Sequence, residues 1–499
     1  MDLDVYGGGQ KIVAILQASV TSGVKWSSFS QIGRQVMLWI TGIIFARLLS
    51  PSDFGLFGMA VVVTGFISLF RDLGTSAAVI QHKHPSRVFL SSIFWVNLAF
   101  GLLAMLILFM IAPLAGDLYR EPRVGPILKV LSLTFFVSGF SIVQQAILER
   151  DLEFLKLMKV EMVATASGSI VGIGAALMNA GVWSFVYQSL AMMVVSTALL
   201  WASSTWKPQI VFHWFEVKSI SRYSLNLTGF NIFNYLARNA DYLLIGRYLG
   251  AQNLGYYALA YRIMIFPLET ISSVLGRVMF PVYSKLQTDD VKFRFAYLKV
   301  ASSIALISFP MVLGLWAVAR PFVLTVFGAP WSPVILLLLI LAPVGLAQSL
   351  GTTVGAIYQA KGRTDWMFYW GVGSGTLVVI AFVVGLPWGI VGVATAYSIV
   401  SLIILAYPGF AIPFKLINLP MRDLGQAVWR PFTASFAMCV VVLGVKLGLP
   451  DGLSGKWVLS ILVSIGCLVY LVVSWLINRA QVREVMSLVI RGQTDNSIG

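Results

Sequence analysis

The sequence RLLSPSDFGLF at residues 47–57 returns as RYLGAQNLGYY at residues 247–257. In this alignment Arg47 matches Arg247, and Gly55 matches Gly255. Each copy stands between two long apolar stretches, so each is interpreted as a tight turn between two helices. A turn that recurs with its arginine and glycine at the same spacing indicates that one helical unit occurs twice in the chain.

Two further pairs of segments support the repeat. Residues 146–148 (AIL) match residues 356–358 (AIY), and residues 181–183 (GVW) match residues 389–391 (GIV). Six apolar stretches separate the copies, and because six is even, both halves are predicted to share one orientation about an axis along the membrane normal. The alternative is chance similarity, since membrane sequences resemble one another through leucine, valine and glycine.

The apolar stretches themselves predict the class of protein. The chain has 499 residues, of which 58% are hydrophobic and 11% charged, whereas soluble domains have about 25% charged residues. A spanning helix needs about 20 mainly apolar residues, and the stretches are too long for the strands of a barrel. We predict an all-α polytopic membrane protein of about fourteen transmembrane helices. The predicted spans are 26–48, 54–81, 88–113, 125–148, 157–178, 183–204, 220–246, 254–281, 296–319, 333–358, 366–386, 389–409, 430–447 and 457–478.

The distribution of charge predicts the orientation of these spans. The net charge of +15 comes largely from loops on one side, while the opposite loops hold few basic residues, chiefly Arg120, Arg123, Arg320 and Lys456. The positive-inside rule then places both termini in the cytoplasm. The basic excess is interpreted as topology and contact with anionic lipid, and no nucleic-acid partner is expected.

The repeat predicts a division into four parts. Residues 1–204 form an N-lobe of spans one to six, and residues 220–409 form a C-lobe of spans seven to twelve. Between them, residues 205–219 mix aromatic and basic side chains, which is typical of a linker at the cytoplasmic membrane interface. Residues 410–499 form an accessory two-helix hairpin and a cytoplasmic tail.

Three motifs carry a family resemblance. Gly33-Arg34 in the first helix, ARLLSPSDFG at residues 46–55 and FRDLG at residues 70–74 resemble the start of bacterial polysaccharide-export flippases. These belong to the multidrug/oligosaccharidyl-lipid/polysaccharide exporter superfamily, and the chain is most similar to the colanic-acid and O-antigen type. The resemblance implies two six-helix lobes in a V, a cationic central cavity and alternating access.

Charged residues inside spans are costly, so they mark candidate sites. Arg34 and Arg71 are predicted at a similar depth in the first two helices, and Arg238 and Arg262 at a second level in helices seven and eight. Guanidinium groups match phosphate oxygens bidentately, so these four arginines are candidates for holding a lipid pyrophosphate. The alternative is that Arg71 with Asp72, and Arg238 with Asp241, are local ion pairs that stabilise packing.

Two carboxylates are candidates for ion coupling. Asp241 and Glu269 lie well inside the second half, where a buried carboxylate could carry H⁺ or bind Na⁺. For Asp241 the alternative is neutralisation by Arg238 or Arg262. No nucleotide-binding loop, metal cluster or catalytic constellation is recognisable, so neither an enzyme nor a cofactor is expected beyond the coupling ion.

The predicted function is therefore a flippase of the bacterial inner membrane. It would move undecaprenyl-pyrophosphate-linked oligosaccharide repeat units from the cytoplasmic to the periplasmic leaflet for exopolysaccharide or lipopolysaccharide synthesis. The expected partners are that lipid-linked substrate, membrane lipids and polysaccharide polymerase or assembly proteins. A peptidoglycan-precursor flippase and an ion-coupled multidrug exporter of the same superfamily remain alternatives, although a drug exporter favours an acidic cavity.

Overall fold

The computed structural model describes residues 31, 33–70, 75–82, 85–214, 232–450 and 452–479. Within the helix that ends at Lys285, the side chains of residues 269–282, 284 and 285 lie outside the description. The regular elements of the described residues are all helices. This confirms the all-α class, which the long apolar stretches predict because a lipid-embedded backbone must satisfy its own hydrogen bonds.

In the described residues, nine α-helices precede residue 240. They are α1 (33–48), α2 (Pro51–Ser68), α3 (Thr75–Gln81), α4 (Arg87–Tyr119), α5 (Val124–Gly139), α6 (Ile142–Arg150), α7 (Phe154–Leu177), α8 (Trp183–Ser203) and α9 (232–238).

Ten helices follow. They are α10 (Ala240–Lys285), α11 (Asp290–Ala317), α12 (Ala319–Val326), α13 (Pro333–Gly351), α14 (Val354–Ala360), α15 (Thr364–Gly385), α16 (Gly389–Ile399), α17 (Ala406–Lys415), α18 (Met421–Gly448) and α19 (Gly455–Ile477). A π-helical turn, Val400–Leu405, joins α16 to α17, and α10 is kinked at Gly250.

The described helices support a multi-pass membrane protein. Within the described residues, nine helices are long and apolar enough to cross a membrane, or ten if α5 and α6, which meet at 45°, form one broken span. Each predicted span overlaps a described helix. The count of fourteen and the V arrangement stay predictions.

The chain divides into two compact units, Met1–Gly255 and Tyr256–Gly499. In the first, a buried cluster around Phe89, Ile93 and Val143 ties α3, α4 and α6 together. In the second, Tyr297, Phe414 and Ile357 belong to a cluster that ties α11, α14 and α17 together. The predicted division into lobes at residues 204 and 220 stays a prediction.

Each half contains a helix that is interrupted before a short last segment. In the first half α5 and α6 meet at 45°, and in the second a two-residue turn separates α13 from α14, which continue as one apolar span, Pro333–Ala360. The turn after each short helix has a left-handed residue, Leu152 (φ 58°) in the first half and Gly362 (φ 66°) in the second. The glycines of the third matched pair both have a positive φ, 57° at Gly181 and 69° at Gly389. The repeat therefore has a common local structure as well as a common sequence pattern.

The left-handed backbone conformation of Leu152 indicates strain that can be measured. A non-glycine residue in the left-handed region costs about 1 kcal/mol, and asparagine tolerates that region better than leucine. Because Leu152 is 39% exposed, its replacement removes little packing. We expect Leu152→Asn to raise the free energy of unfolding by up to about 1 kcal/mol in a thermal-unfolding measurement on purified protein. The matched change Gly362→Leu should lower it, and equal effects of the two substitutions would contradict the assignment.

The second unit holds a polar cluster at helix ends, here called the charged clasp. Lys361 Nζ lies 2.6 Å from Asp290 Oδ1 and also donates to the Gln287 carbonyl. Asn418 Nδ2 donates to Asp290 Oδ2 at 3.2 Å, and Arg294 Nη1 donates to the Asn418 carbonyl at 2.9 Å. The clasp thus joins the start of α11 to the turns that precede α15 and α18, and such shared, partly shielded ion pairs hold helix ends in register.

Candidate functional site

The two repeated turns begin helices in different ways. In the first copy, Ser50 caps α2: the Asp53 backbone N–H donates to Ser50 Oγ, and the Ser50 N–H donates to Asp53 Oδ2 at 2.9 Å. This reciprocal pair is a capping box. In the second copy, Gly250 adopts φ 85°, which only glycine adopts freely, and Asn253 Nδ2 donates to the Leu249 carbonyl at 2.8 Å.

The two turns contact each other reciprocally. A Cβ placed on Gly55 would lie 1.6 Å from the Ala251 carbonyl oxygen. A Cβ placed on Gly255 would lie 1.9 Å from the Pro51 carbonyl oxygen. Because residues 51 and 55 match 251 and 255 in the repeat, the contact has a local two-fold symmetry. We call it the glycine crossing; both glycines lie within the first compact unit.

Small residues extend this packing along α2. Gly58 faces Leu254 and Tyr242, with 3.6 Å to the nearest atoms from a Cβ placed there, and a Cβ on Gly246 would lie 2.9 Å from the Tyr119 ring. Such small-residue contacts let helix backbones approach in membranes, where dispersion contacts and weak Cα–H···O bonds replace the hydrophobic effect. Arg247 supports the same region, since its Nη1 donates to the Asp117 carbonyl at 3.2 Å.

The far end of this contact is held by Tyr235. Its hydroxyl donates to the Val62 carbonyl at 2.8 Å, and a Cβ on Gly65 would lie 2.1 Å from that hydroxyl oxygen. The α9 helix therefore packs against α2 at Gly65, where the absence of a side chain accommodates the Tyr235 hydroxyl. Arg238 lies one turn beyond Tyr235, so this hydrogen bond sets the position of the arginine along α2.

The four candidate arginines have different environments. Arg34 is half-buried in α1, next to Gly33, which packs on α7 with a Cβ-to-Met162 Cε distance of 2.9 Å. Arg238 is exposed at the end of α9, and Arg262 is exposed in α10. Arg71 and its neighbour Asp72 lie outside the described residues. The predicted arrangement of these arginines around one substrate stays a prediction.

Asp241 stands out among the candidates. Its side chain is 3% exposed, and among the described residues it is the one aspartate, glutamate, lysine, arginine or histidine that is buried. Its Oδ1 accepts from the Tyr242 backbone N–H at 2.8 Å. A buried carboxylate is an expensive group, and its position in the first turn of α10 places it where the helix dipole favours negative charge. Its role in ion coupling stays a prediction. The side chain of Glu269 lies outside the described residues.

Metal chemistry has no evident place in the described part of the chain. There, no group of three or more His, Cys, Asp and Glu side chains could hold a metal ion. The two cysteines, Cys439 and Cys467, are free thiols.

Sequence reasoning missed the glycine crossing and the role of Tyr235. The spacing of Gly55, Gly58 and Gly65 on one face of α2 was an available signal, since small residues that recur along one face indicate close helix contact. The sequence could not identify the residue that Gly55 contacts, because Ala251 is distant in the chain.

Similarity to known proteins agrees with the fold and the motifs. A sequence model of the family described as polysaccharide biosynthesis protein matches residues 44–336. Lipopolysaccharide biosynthesis protein WzxC of Escherichia coli K12 is 29% identical over 443 residues, which are 87% of this chain and 89% of that protein. Teichuronic acid biosynthesis protein TuaB of Bacillus subtilis 168 is 28% identical over 457 residues, 91% of this chain and 94% of that protein. Succinoglycan biosynthesis transport protein ExoT of Rhizobium meliloti 1021 is 30% identical over 63% of this chain and 64% of that protein.

Two solved structures share the fold. The lipid II flippase MurJ, in an inward closed conformation, superposes with a TM-score of 0.72 and 16% identity over 91% of this chain and 99% of that one. An inward-facing multidrug resistance transporter of the MATE family superposes with a TM-score of 0.62 and 18% identity over 79% and 96%. At this identity the likeness concerns the fold alone.

The family match covers the repeated turns, the glycine crossing and Asp241, and it extends across more than half of the chain. Together with the multi-pass helical fold, it confirms the resemblance seen in the first motifs. The chain belongs to the polysaccharide biosynthesis protein family of multi-pass membrane proteins.

Proposed function

We propose that this protein is a flippase that moves polyprenyl-pyrophosphate-linked oligosaccharide repeat units, most simply the undecaprenyl form, from the cytoplasmic to the periplasmic leaflet. The observation that carries the proposal is the match, over most of the chain, to proteins named for the biosynthesis of several surface polysaccharides. One of the relatives is named a transport protein, and another, 23% identical, a probable flippase. The protein lies in the bacterial inner membrane, with both termini in the cytoplasm according to the positive-inside rule.

The arginines supply the chemistry that such a substrate requires. A pyrophosphate crossing the membrane interior loses its water, and guanidinium groups replace water by bidentate, charge-assisted hydrogen bonds. Arg34, Arg71, Arg238 and Arg262 are the proposed ligands of the head group. The half-buried position of Arg34 and the exposure of Arg238 and Arg262 suit groups that a passing ligand can reach. Sugar contacts and polymerase or assembly partners belong to the same proposal.

In this proposal the glycine crossing closes the transport pathway at one end. Backbone packs directly on backbone there, so α2 and α10 meet without a side chain between them. The positive-inside rule places that end at the periplasm. Alternating access then requires the crossing to be formed while substrate enters from the cytoplasm and opened when substrate leaves.

Movement of a defined substrate between the two leaflets of sealed vesicles tests the proposal. Purified protein in proteoliposomes should move a fluorescent undecaprenyl-pyrophosphate oligosaccharide between leaflets faster than protein-free vesicles by at least about tenfold, which corresponds to 1.4 kcal/mol of barrier. Lipid II and a cationic drug, offered separately, distinguish the two related functions. Movement of either of these at the higher rate, with none of the oligosaccharide, would overturn the proposal.

Asp241 carries the proposed coupling to H⁺ or Na⁺. We expect Asp241→Asn to remove the response of transport to an imposed ion gradient, because the amide cannot exchange a proton and binds a cation weakly. Export of surface polysaccharide should fall by about tenfold or more. The measurement is the transport rate in proteoliposomes with and without a pH or Na⁺ gradient.

The control for this variant is Asp365→Asn, which removes an exposed carboxylate paired with Arg363. That variant should keep the gradient response. If Asp241→Asn responds to both gradients as the unmodified protein does, Asp241 has no part in coupling.

A further inference from the structure

The segment after α8 is an extended strap fixed to α4. The strap, residues 205–214, contains no helix until its last residue. The Gln209 backbone N–H donates to Ser91 Oγ, and the His213 backbone N–H donates to Ser92 Oγ, each at 3.0 Å. Trp95 Nε1 donates to the Gln209 carbonyl at 2.9 Å. Three hydrogen bonds between the strap and α4 therefore fix the backbone of the strap at Gln209 and His213.

The outward face of the strap is apolar. Ile210 is 95% exposed, Phe212 51% and Trp214 66%. These residues alternate along an extended chain, so they share one face, and the Phe212 and Trp214 rings lie 6.4 Å apart on that face. Trp206, at the start of the strap, instead turns inward and contacts the Phe94 ring at 6.1 Å.

The attachment points give the depth of this face. Ser91 and Ser92 follow Arg87, the first residue of α4, by four and five residues, which is roughly 6–8 Å along the helix axis. Apolar faces of interfacial segments insert about 5–10 Å, to the boundary between headgroups and acyl chains. A row of isoleucine, phenylalanine and tryptophan at this depth matches that boundary, which aromatic side chains prefer.

The charges around the strap indicate which lipid it meets. Lys207 on the strap and Arg87 at the start of α4 are both exposed, and further along the same predicted side of the first half Lys159 is exposed as well. Basic residues near an anionic surface contribute about 1 kcal/mol each to membrane attraction.

We propose that residues 210–214 are a membrane-docking surface that inserts Ile210, Phe212 and Trp214 into the anionic inner leaflet. The strap anchors the connection between the two halves to lipid on one face and to α4 on the other. This surface includes none of the four candidate arginines, and the proposal does not depend on the transported substrate.

Spin labels report the surroundings of each strap residue. In a Cys467→Ala background, where the remaining thiol Cys439 is buried, single cysteines replace Ile210, Phe212 or Lys207 and are labelled in proteoliposomes that contain phosphatidylglycerol. A label at Val194, exposed in the middle of α8, serves as the lipid reference. Unsubstituted background protein measures any labelling of Cys439.

The expected result is a difference between the two faces. Labels at 210 and 212 should collide with oxygen rather than with a water-soluble nickel chelate, as the label at 194 does. Their ratio of oxygen collisions to chelate collisions should exceed the ratio at 207 by at least about fivefold. A ratio equal to that at 207 would show that the face is in water. Low collision with both reagents would show that protein covers it. Either outcome overturns the proposal, and because Ile210 and Phe212 are exposed, their substitution leaves the packed interior intact.

Discussion

Gly55→Ala is expected to abolish polysaccharide export and to destabilise the folded protein. The added Cβ would lie 1.6 Å from the Ala251 carbonyl oxygen, and both groups belong to backbone that cannot rotate away. Overpacking of this kind costs about 1–3 kcal/mol and sometimes more. If the helices part to admit the methyl group, the proposed closure opens and a conformation needed for transport is lost.

Gly58→Ala is the matched control for this change. It adds the same methyl group one turn along α2, where the nearest atoms lie at 3.6 Å in side chains of Leu254 and Tyr242. Export is measured in cells that lack the native copy, the amount of protein is measured in their membranes, and stability is measured by thermal unfolding. Gly255→Ala should reproduce the loss, since the contact is reciprocal. Equal export and stability for Gly55→Ala and Gly58→Ala would contradict the glycine crossing.

Arg34→Ala is expected to reduce transport by about tenfold to a hundredfold, because a hydrogen bond to a charged group contributes about 1.5–3 kcal/mol. Arg34→Lys should keep part of the activity, since an ammonium group attracts pyrophosphate but cannot bind it bidentately. The measurement is the rate of leaflet exchange of the labelled lipid-linked oligosaccharide in proteoliposomes, with its dependence on substrate concentration.

Arg363→Ala is the control for loss of an arginine. Arg363 lies in the turn before α15 with its side chain 42% exposed and pairs with Asp365 of α15 at 2.9 Å, so its loss should leave transport within about twofold, as ion pairs open to solvent contribute little. If Arg34→Ala transports as well as Arg363→Ala, Arg34 serves packing rather than the substrate.

The helical class and the repeat could be predicted from local information. Long apolar runs require helices in lipid whatever their neighbours are, and the match of residues 146–148 to 356–358 correctly indicated equivalent positions, since both lie in short helices after a break. The 45° bend between α5 and α6 was not predicted. No proline lies at that bend; Ser138 and Gly139 precede it, and a Cβ placed on Gly139 would lie 3.0 Å from the Asn97 carbonyl oxygen, so the bend occurs where glycine allows close packing on α4.

The candidate site was predicted only in part. Charge inside an apolar run is visible in sequence, so Arg34 and Asp241 could be named as candidates, and Asp241 is buried as its place inside an apolar run predicts; their roles stay predictions. The partners that position α9 and α10 were not visible. Tyr235 binds a backbone carbonyl of α2, and a carbonyl has no sequence signature. Arg71 and Glu269 stay predictions.

The charged clasp bears on the history of the two halves. The alignment that pairs residues 146–148 with 356–358 also pairs Asp151 with Lys361, so the clasp lysine stands where the first half has an acid. If the two halves arose by duplication, the ancestral unit can have supplied only one of these charges. On that hypothesis the clasp was gained in one copy, or lost from the other, after the duplication.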